Sequence, residues 1–352
     1  MKVVVAPDSF KECMRAKQVA GVMAAALREV DPAVDVVEMP LADGGEGTVE
    51  VLAAALGARM VRTTVTGPVG EPVAAAYGVT GEADSPSGSL ALMEVAAACG
   101  LPLVPPERRN PLSTTSRGVG ELILDALEKG CRRFLIGLGG TATCDGGEGM
   151  FSVPGLREKA HGAVFRLLYD VDCPFAGPRG AARVFGPQKG ASPEAVEILE
   201  TRMQHRAEAL LRETGVDVSC LPGAGAAGGL GGAMAALLGA RLVSGVDEVL
   251  DLTLFDEAVQ DAGLILTGEG KSDSQTLSGK VPYGVLRRSG GVPVALVSGA
   301  ICDGTALSDA GFRELVSVSP AGLSHEEAID PVTATENIRQ AVASFFRNFL
   351  TH

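Results

Sequence analysis

Asp8, Ser9 and Lys11 stand in APDSFKE, directly after an apolar run. A carboxylate, a hydroxyl and a flexible ammonium at a strand end can receive an anion. The structural alternative is a helix cap beside a surface lysine. In LADGGEGT, Asp43, Gly44, Gly45, Glu46 and Thr48 lead into a helical pattern. Free N–H groups there bind anions, and the two acids could instead hold Mg2+. Capping by Asp43 and dipole compensation by Glu46 account for the acids but not for the glycines. In GLGGTATCDGGEGM, Gly137 to Met150, Thr141, Thr143 and Asp145 stand among close-set glycines. A ligand could come close to backbone there, with hydroxyls and one central carboxylate at hand; a sharp connection between packed elements is the rival.

YDVDCP sets Asp170 and Asp172 two residues apart, on one side of an extended chain. A shared magnesium, a general base or two solvated turn residues all fit that spacing. Lys189 follows in FGPQKGA. PGAGAAGGLGG carries Gly223, Gly225, Gly228 and Gly229, whose N–H groups could cradle phosphate. Close helix packing through small residues is the other explanation. LILTGEGKSDSQTLSGKVP, Leu264 to Pro282, brings Thr267, Glu269, Lys271, Asp273 and Lys280 to the end of another apolar run. Val281 follows Gly279-Lys280, so the Walker A pattern fails. Glu269 and Asp273 remain for metal or proton work, Lys271 and Lys280 for phosphate. None of the histidines at 161, 205, 325 and 352 lies in these loops, and no G-x-S-x-G occurs. That argues against a Ser-His-Asp hydrolase and a His-ligated metal. The set of Lys, Asp, Ser, Thr and Gly suits phosphoryl transfer, which rests on positioning and electrostatics.

These loops need elements to hold them. MKVVVAPDSF reads as a strand and turn, AKQVAGVMAAALREV as a helix, VDVVEMP as a second strand. This βαβα start predicts a parallel sheet with ligand groups at strand C-termini. RMVRTTVTGP, PVAAAYGVTG and GSLALMEVA read as strands between Gly/Pro turns. Ser192-Pro193 opens a long helix, serine at the cap and proline in the first turn. From about Ala262 the strand–loop–helix rhythm returns. The rhythm predicts a discontinuous parallel-sheet domain built from residues 1–65 and 260–352, with a second α/β domain, 66–259, inserted.

Composition agrees. The chain has 352 residues, enough for two domains. Hydrophobic residues make up 46% and charged residues 21%, a globular balance. A net charge of −13 disfavours nucleic acid as a partner. Seven scattered cysteines without a CxxC pair, and no leader pattern before Met1, suggest a reducing cytoplasm. No apolar run reaches the ~18 residues of a membrane span. Oligomeric state is not legible, and a homo-oligomer is compatible with the sequence.

APDSFKE, ADGGEGT, NPLSTTSRGVGELI, GLGGTATCDGG, VFGPQKGA, GAGAAGGLG and TGEGKSDSQTLSGKVP occur in that order. Together they resemble the bacterial glycerate kinase family over nearly the whole chain. The resemblance implies phosphorylation of D-glycerate by Mg-ATP, giving 2-phosphoglycerate or 3-phosphoglycerate, and a flavodoxin-like, Rossmann-like domain split across both chain ends, with the active site expected in the cleft between the two domains. It departs from the family pattern at Cys144 and Cys173, where an asparagine is usual, and in a short segment between Met150 and Tyr169. In such a kinase, Asp8, Lys11, Asp43 and Asp145 are expected to be catalytic. Asp43 or Asp145 would take the hydroxyl proton. Ser9, Gly44, Gly45, Glu46, Thr141 and Arg117 would meet the substrate. Gly223, Gly225, Gly228, Gly229, Lys189, Lys280 and Thr267 would meet ATP. Glu269, Asp273 and Asp172 would hold Mg2+. A kinase for another hydroxy or sugar acid, and a ligand-binding homologue without turnover, are the rivals. A nicotinamide dehydrogenase is weaker, since no G-x-G-x-x-G follows the first strand.

Overall fold

The computed structural model describes residues 1–81, 88–170, 172–320 and 322–351; Val171 of YDVDCP and His352 lie outside them. The strands are β1 (Lys2–Val5), β2 (Asp35–Glu38), β3 (Arg59–Thr66), β4 (Pro72–Thr80), β5 (Ser89–Glu94) and β6 (Cys131–Gly137). They continue as β7 (Val164–Tyr169), β8 (Arg241–Ser244), β9 (Leu264–Thr267), β10 (Lys271–Ser272), β11 (Val294–Ser298), β12 (Ala300–Ile301) and β13 (Glu314–Ser317). The chain divides into two compact units, Met1–Asp43 with Val246–His352, and Gly44–Gly245. The sequence rhythm set the borders at 65/66 and 259/260. They fall elsewhere because β3 pairs along its whole length with β4 of the second sheet, and the buried Val246 and Leu250 pack against Gly284 of the first unit.

In the first unit, five strands lie in the order β13-β11-β9-β1-β2, all parallel. Renumbered within the unit, this is the order 2-1-3-4-5 of flavodoxin-like sheets. The strand sequences explain it. KVVV, LILT and VALVS are apolar almost throughout, as strands buried on both faces must be. Val3, Val5, Leu264, Leu266, Ala295 and Val297 face the helices Ala16–Val30 and Pro331–Thr351. Val4, Ile265 and Leu296 alternate with them and are equally buried. The chain leaves β1 toward β2 and returns to β9 on its other side. Ligands of open parallel sheets bind at such a switch point, outside the strand C-termini. The loops after β1 and β9 occupy that place.

In the second unit, six strands run in sequence order, β3-β4-β5-β6-β7-β8. The first three are antiparallel and the last four parallel. The helix Arg117–Glu128 covers one face with Leu122, Ile123, Ala126 and Leu127. Phe134 and Phe165 stack across β6 and β7 at 4.6 Å. Strands β7 and β8 were not foreseen. The segment before β7 is packed, with Leu156 and Ala160 buried. The long helix begins as its sequence said, Ser192 Oγ accepting from Ala195 N at 3.2 Å and the helix spanning Pro193–Thr214. Among the described residues no helix is long and apolar enough to cross a membrane.

One glycine in the first unit fixes how closely β9's loop meets β11. A Cβ on Gly268 would stand 1.7 Å from the Val297 carbonyl oxygen, which cannot move without breaking the sheet. Gly268→Ala should therefore lower unfolding free energy by about 1–3 kcal/mol, measured by urea unfolding at neutral pH. A loss near zero would mean that this crossing is looser than the geometry states.

Candidate functional site

The site of the first unit starts from backbone. Asp8 N donates to Gly268 O at 2.9 Å, and Leu41 N to Pro7 O at 2.9 Å. The loop after β1 is thus tied to the loops following β9 and β2. These ties bring three carboxylates together. Asp8, Asp43 and Glu269 are each less than a tenth exposed. Burial pushes the Asp8 carboxyl well above its ordinary range, and the Asp43 charge adds to this. The Ser9 N–H, donating to Asp8 Oδ1 at 2.6 Å, and the Lys11 ammonium act against it, while Glu269 raises it further. Three acids and the Lys11 cation therefore face one another where sheet topology places ligands.

Glu269 is caged. Its Oε1 accepts from Thr276 Oγ1 at 2.6 Å and Ser272 Oγ at 3.2 Å; its Oε2 accepts from Lys280 Nζ at 3.2 Å. Asp273 caps the turn Ser274–Ser278, its Oδ1 accepting from Gln275 N at 2.9 Å. Asp172 is exposed and belongs to the second unit. Among the described residues no three His, Cys, Asp or Glu side chains are grouped to hold a metal. Of the three residues expected to hold the metal, Glu269 and Asp273 are engaged in local hydrogen bonds of the first unit. Thr267 also departs from expectation. It is fully buried and its hydroxyl donates to Ala6 O at 2.8 Å, clipping β9 to β1 instead of facing a nucleotide.

The second unit builds its loops by close backbone contact. A Cβ on Gly137 would lie 2.5 Å from Gly44 O, and one on Gly139 2.7 Å from the Gly45 Cα. The Gly44–Gly47 stretch and the loop after β6 are therefore in van der Waals contact. Thr48 Oγ1 donates to Gly45 O at 2.8 Å. Glu94, at the end of β5, receives Val49 N at 2.9 Å and so meets the free N–H groups of the helix Thr48–Ala55. Burial raises its carboxyl, with Glu46 adding to the effect. Sequence reasoning missed Glu94, since a strand-ending glutamate carries no signal of what it will cap.

Asp145 accepts four hydrogen bonds. Oδ2 accepts from Ser116 N at 2.7 Å, Ser116 Oγ at 2.8 Å and Gly149 N at 3.1 Å, and Oδ1 accepts from Gly147 N at 3.1 Å. This geometry makes it a double cap joining the loop after β6 to the start of Arg117–Glu128. Ser116, which was not singled out, completes the clasp by accepting from Met150 N at 2.9 Å. Arg117 pairs with Glu121 at 2.9 Å and Ser152 Oγ at 3.2 Å along the helix surface. Lys189 is 3% exposed and donates to Thr143 O at 2.7 Å and Thr141 Oγ1 at 3.0 Å. It holds the Thr141–Thr143 loop from within, where an ATP contact was expected.

The glycine run is spent on packing. A Cβ on Gly223 would strike the Tyr169 ring at 2.9 Å, on Gly225 the Pro174 carbonyl at 2.2 Å, and on Gly228 the Thr143 carbonyl at 2.1 Å. One on Gly229 would meet Met203 at 2.6 Å. Gly225 N and Gly229 N donate to Cys173 O and Gly225 O. Close packing through small residues accounts for these four glycines. Cys144 and Cys173 are buried beside it, and burial raises both thiols, Cys173 to about 11. Neither is poised as a thiolate nucleophile.

A profile of the "Glycerate kinase family" matches residues 3–159 and 151–350 of this chain. Glycerate 2-kinase of Escherichia coli K12 is 40% identical over 384 aligned residues, covering 99% of this chain and 100% of the relative. Glycerate kinase of Bacillus subtilis 168 is 41% identical over 361 residues, covering 94% and 93%. A solved structure from Salmonella typhimurium LT2, assigned as glycerate kinase 2, superposes with a TM-score of 0.84 at 38% identity, covering 100% of this chain and 98% of that one. The two matched stretches overlap at 151–159.

Two variants test the geometry. Asp145→Ala leaves four donors without their acceptor and should lower stability by about 1–3 kcal/mol, read by thermal or urea unfolding; an unchanged midpoint would contradict the clasp. Asp8→Asn should act oppositely. The folded-state pKa of Asp8 is raised, so its ionised form costs stability above the ordinary value of 3.8. The variant should melt higher than wild type at neutral pH, and the gap should shrink as pH falls toward that value. A gap that widens on acidification would reverse the sign.

Proposed function

This chain belongs to the glycerate kinase family and is a phosphotransferase, and on that premise we propose that it transfers the γ-phosphoryl group of ATP to D-glycerate. The observation that carries the reading is the charge cluster at the switch point: Asp8, Asp43 and Glu269 with Lys11 and Lys280. Phosphoryl transfer needs anions held in line and little covalent chemistry from protein, and this set supplies that. Asp8 is the proton acceptor in this reading. Its raised pKa makes its carboxylate a stronger base than an ordinary aspartate. Asp145 is the poorer candidate, its oxygens being filled by four donors.

Lys11 and Lys280 are point charges on flexible stems, suited to carboxylate or phosphate oxygens. Ser9 and the Gly44–Glu46 stretch remain candidates for substrate contact. Mg2+ fits the donor chemistry, since the repulsion among Asp8, Asp43 and Glu269 is relieved by a cation. Mg2+ is commonly held by one or two carboxylates plus substrate phosphates, not by an all-protein cage. Asp43 is the carboxylate that would hold it, and its chemistry there is to neutralise phosphate charge. The 2-hydroxyl is the proposed acceptor, supported by the name of the Escherichia coli relative, Glycerate 2-kinase.

The assay is ADP release with D-glycerate and Mg-ATP, followed by phosphorus NMR of the product. Turnover giving 2-phosphoglycerate is expected. Folded protein without turnover removes the activity, and faster turnover of another hydroxy acid in a substrate panel reassigns the substrate. Asp8→Asn should cut kcat by roughly 10²–10⁴-fold. A loss of only a few fold would pass the proton to another group.

A further inference from the structure

We propose that Glu269 is a positioning residue, whose carboxylate aims the Lys280 ammonium at an anionic oxygen of the bound substrate. The proposal rests on the kinase reading above and names what holds one of its cations. A lysine stem has four rotatable bonds, so an unrestrained ammonium loses entropy whenever it grips a ligand. Here the restraint is built in. Lys280 Nζ lies 3.2 Å from Glu269 Oε2, its side chain one third exposed against 9% for the glutamate. The carboxylate is the inner, fixed partner. The ammonium is the outer one, with two further N–H bonds to give.

The fixing of Glu269 can be traced outward. Thr276 Oγ1 donates to Oε1 at 2.6 Å and itself accepts from Asp273 N at 3.1 Å. Ser272 Oγ donates to the same oxygen at 3.2 Å and shares a 2.7 Å hydrogen bond with Ser298 Oγ. Strand β10 pairs with β12, Ala300 N donating to Gly270 O at 3.1 Å and Cys302 N to Ser272 O at 2.9 Å. A Cβ on Gly299 would lie 2.3 Å from Gly270 O, so the two loops meet as bare backbone. Each contact restrains the carboxylate. Two hydroxyls and an ammonium use three of its roughly four lone-pair sites, which suits a fixed anchor for Lys280 better than a main magnesium ligand. The anion that Lys280 meets is either a phosphate of the nucleotide or the carboxylate of the acid; both offer the same charged oxygen.

The test compares Glu269→Gln, Lys280→Ala and the double variant in full-length protein. Lys280→Ala should raise one KM about tenfold, the worth of a charge-assisted contact. Glu269→Gln should raise the same KM and leave the Mg2+ half-saturation where it was. The double variant should resemble Lys280→Ala alone, since the two act as one unit. A rise in KM for ATP identifies phosphate, and a rise for D-glycerate identifies the carboxylate. A shifted Mg2+ half-saturation in Glu269→Gln makes Glu269 a metal ligand and overturns the proposal. So does a lowered melting midpoint with both KM values unchanged, or strictly additive effects. Calorimetric binding of ADP and of D-glycerate reads the same coupling without turnover. If wild type binds but does not turn over, the kinase reading fails while the positioning role stands or falls on these affinities. Affinities untouched in both variants overturn it.

Discussion

A charge buried in a strand-end loop must be met by donors or by an opposite charge, because its desolvation costs more than folding can spare. That requirement organises the loops of both units. Glu269 is answered by two hydroxyls and Lys280, Lys189 by a hydroxyl and a carbonyl, Asp145 by four donors. Asp8 is the exception. One N–H and the Lys11 charge do not offset its burial beside Asp43 and Glu269, and its carboxyl is displaced upward. Groups left under-compensated in this way concentrate where chemistry is done.

The partners arrive only because the backbones come close. Gly268 against Val297 O, Gly299 against Gly270 O and Gly137 against Gly44 O each allow a contact that any side chain would forbid. The glycine-rich motifs are therefore mainly positioning devices. In the Gly223–Gly229 run the same economy of volume seats the loop against Tyr169, Pro174 and Thr143. A glycine run attracts attention as a phosphate cradle, but its N–H groups must remain available for that. Here those of Ala224, Gly225, Ala226 and Gly229 are bonded within the protein.

Between Met150 and Tyr169, Leu156 and Ala160 are buried in the second unit's core. Cys144 and Cys173 are likewise accommodated as small buried groups, their thiols held neutral by burial.

Much of the architecture was legible in the sequence. Apolar runs such as KVVV and LILT, the Ser192-Pro193 start and the seven ordered motifs determined the parallel sheet, the long helix and the family, because periodicity and local capping are properties of neighbouring residues. The sequence also gathered the polar residues into a few strand-end loops. Their roles were decided by tertiary structure. Whether Asp145 is a base or a cap depends on Ser116, twenty-nine positions away, and whether Glu269 meets metal depends on Thr276 and Lys280 reaching it first. A carboxylate's chemistry is set by which donors occupy its lone pairs and how far water is excluded. Both follow from the packing of distant segments, which spacing along a chain does not encode.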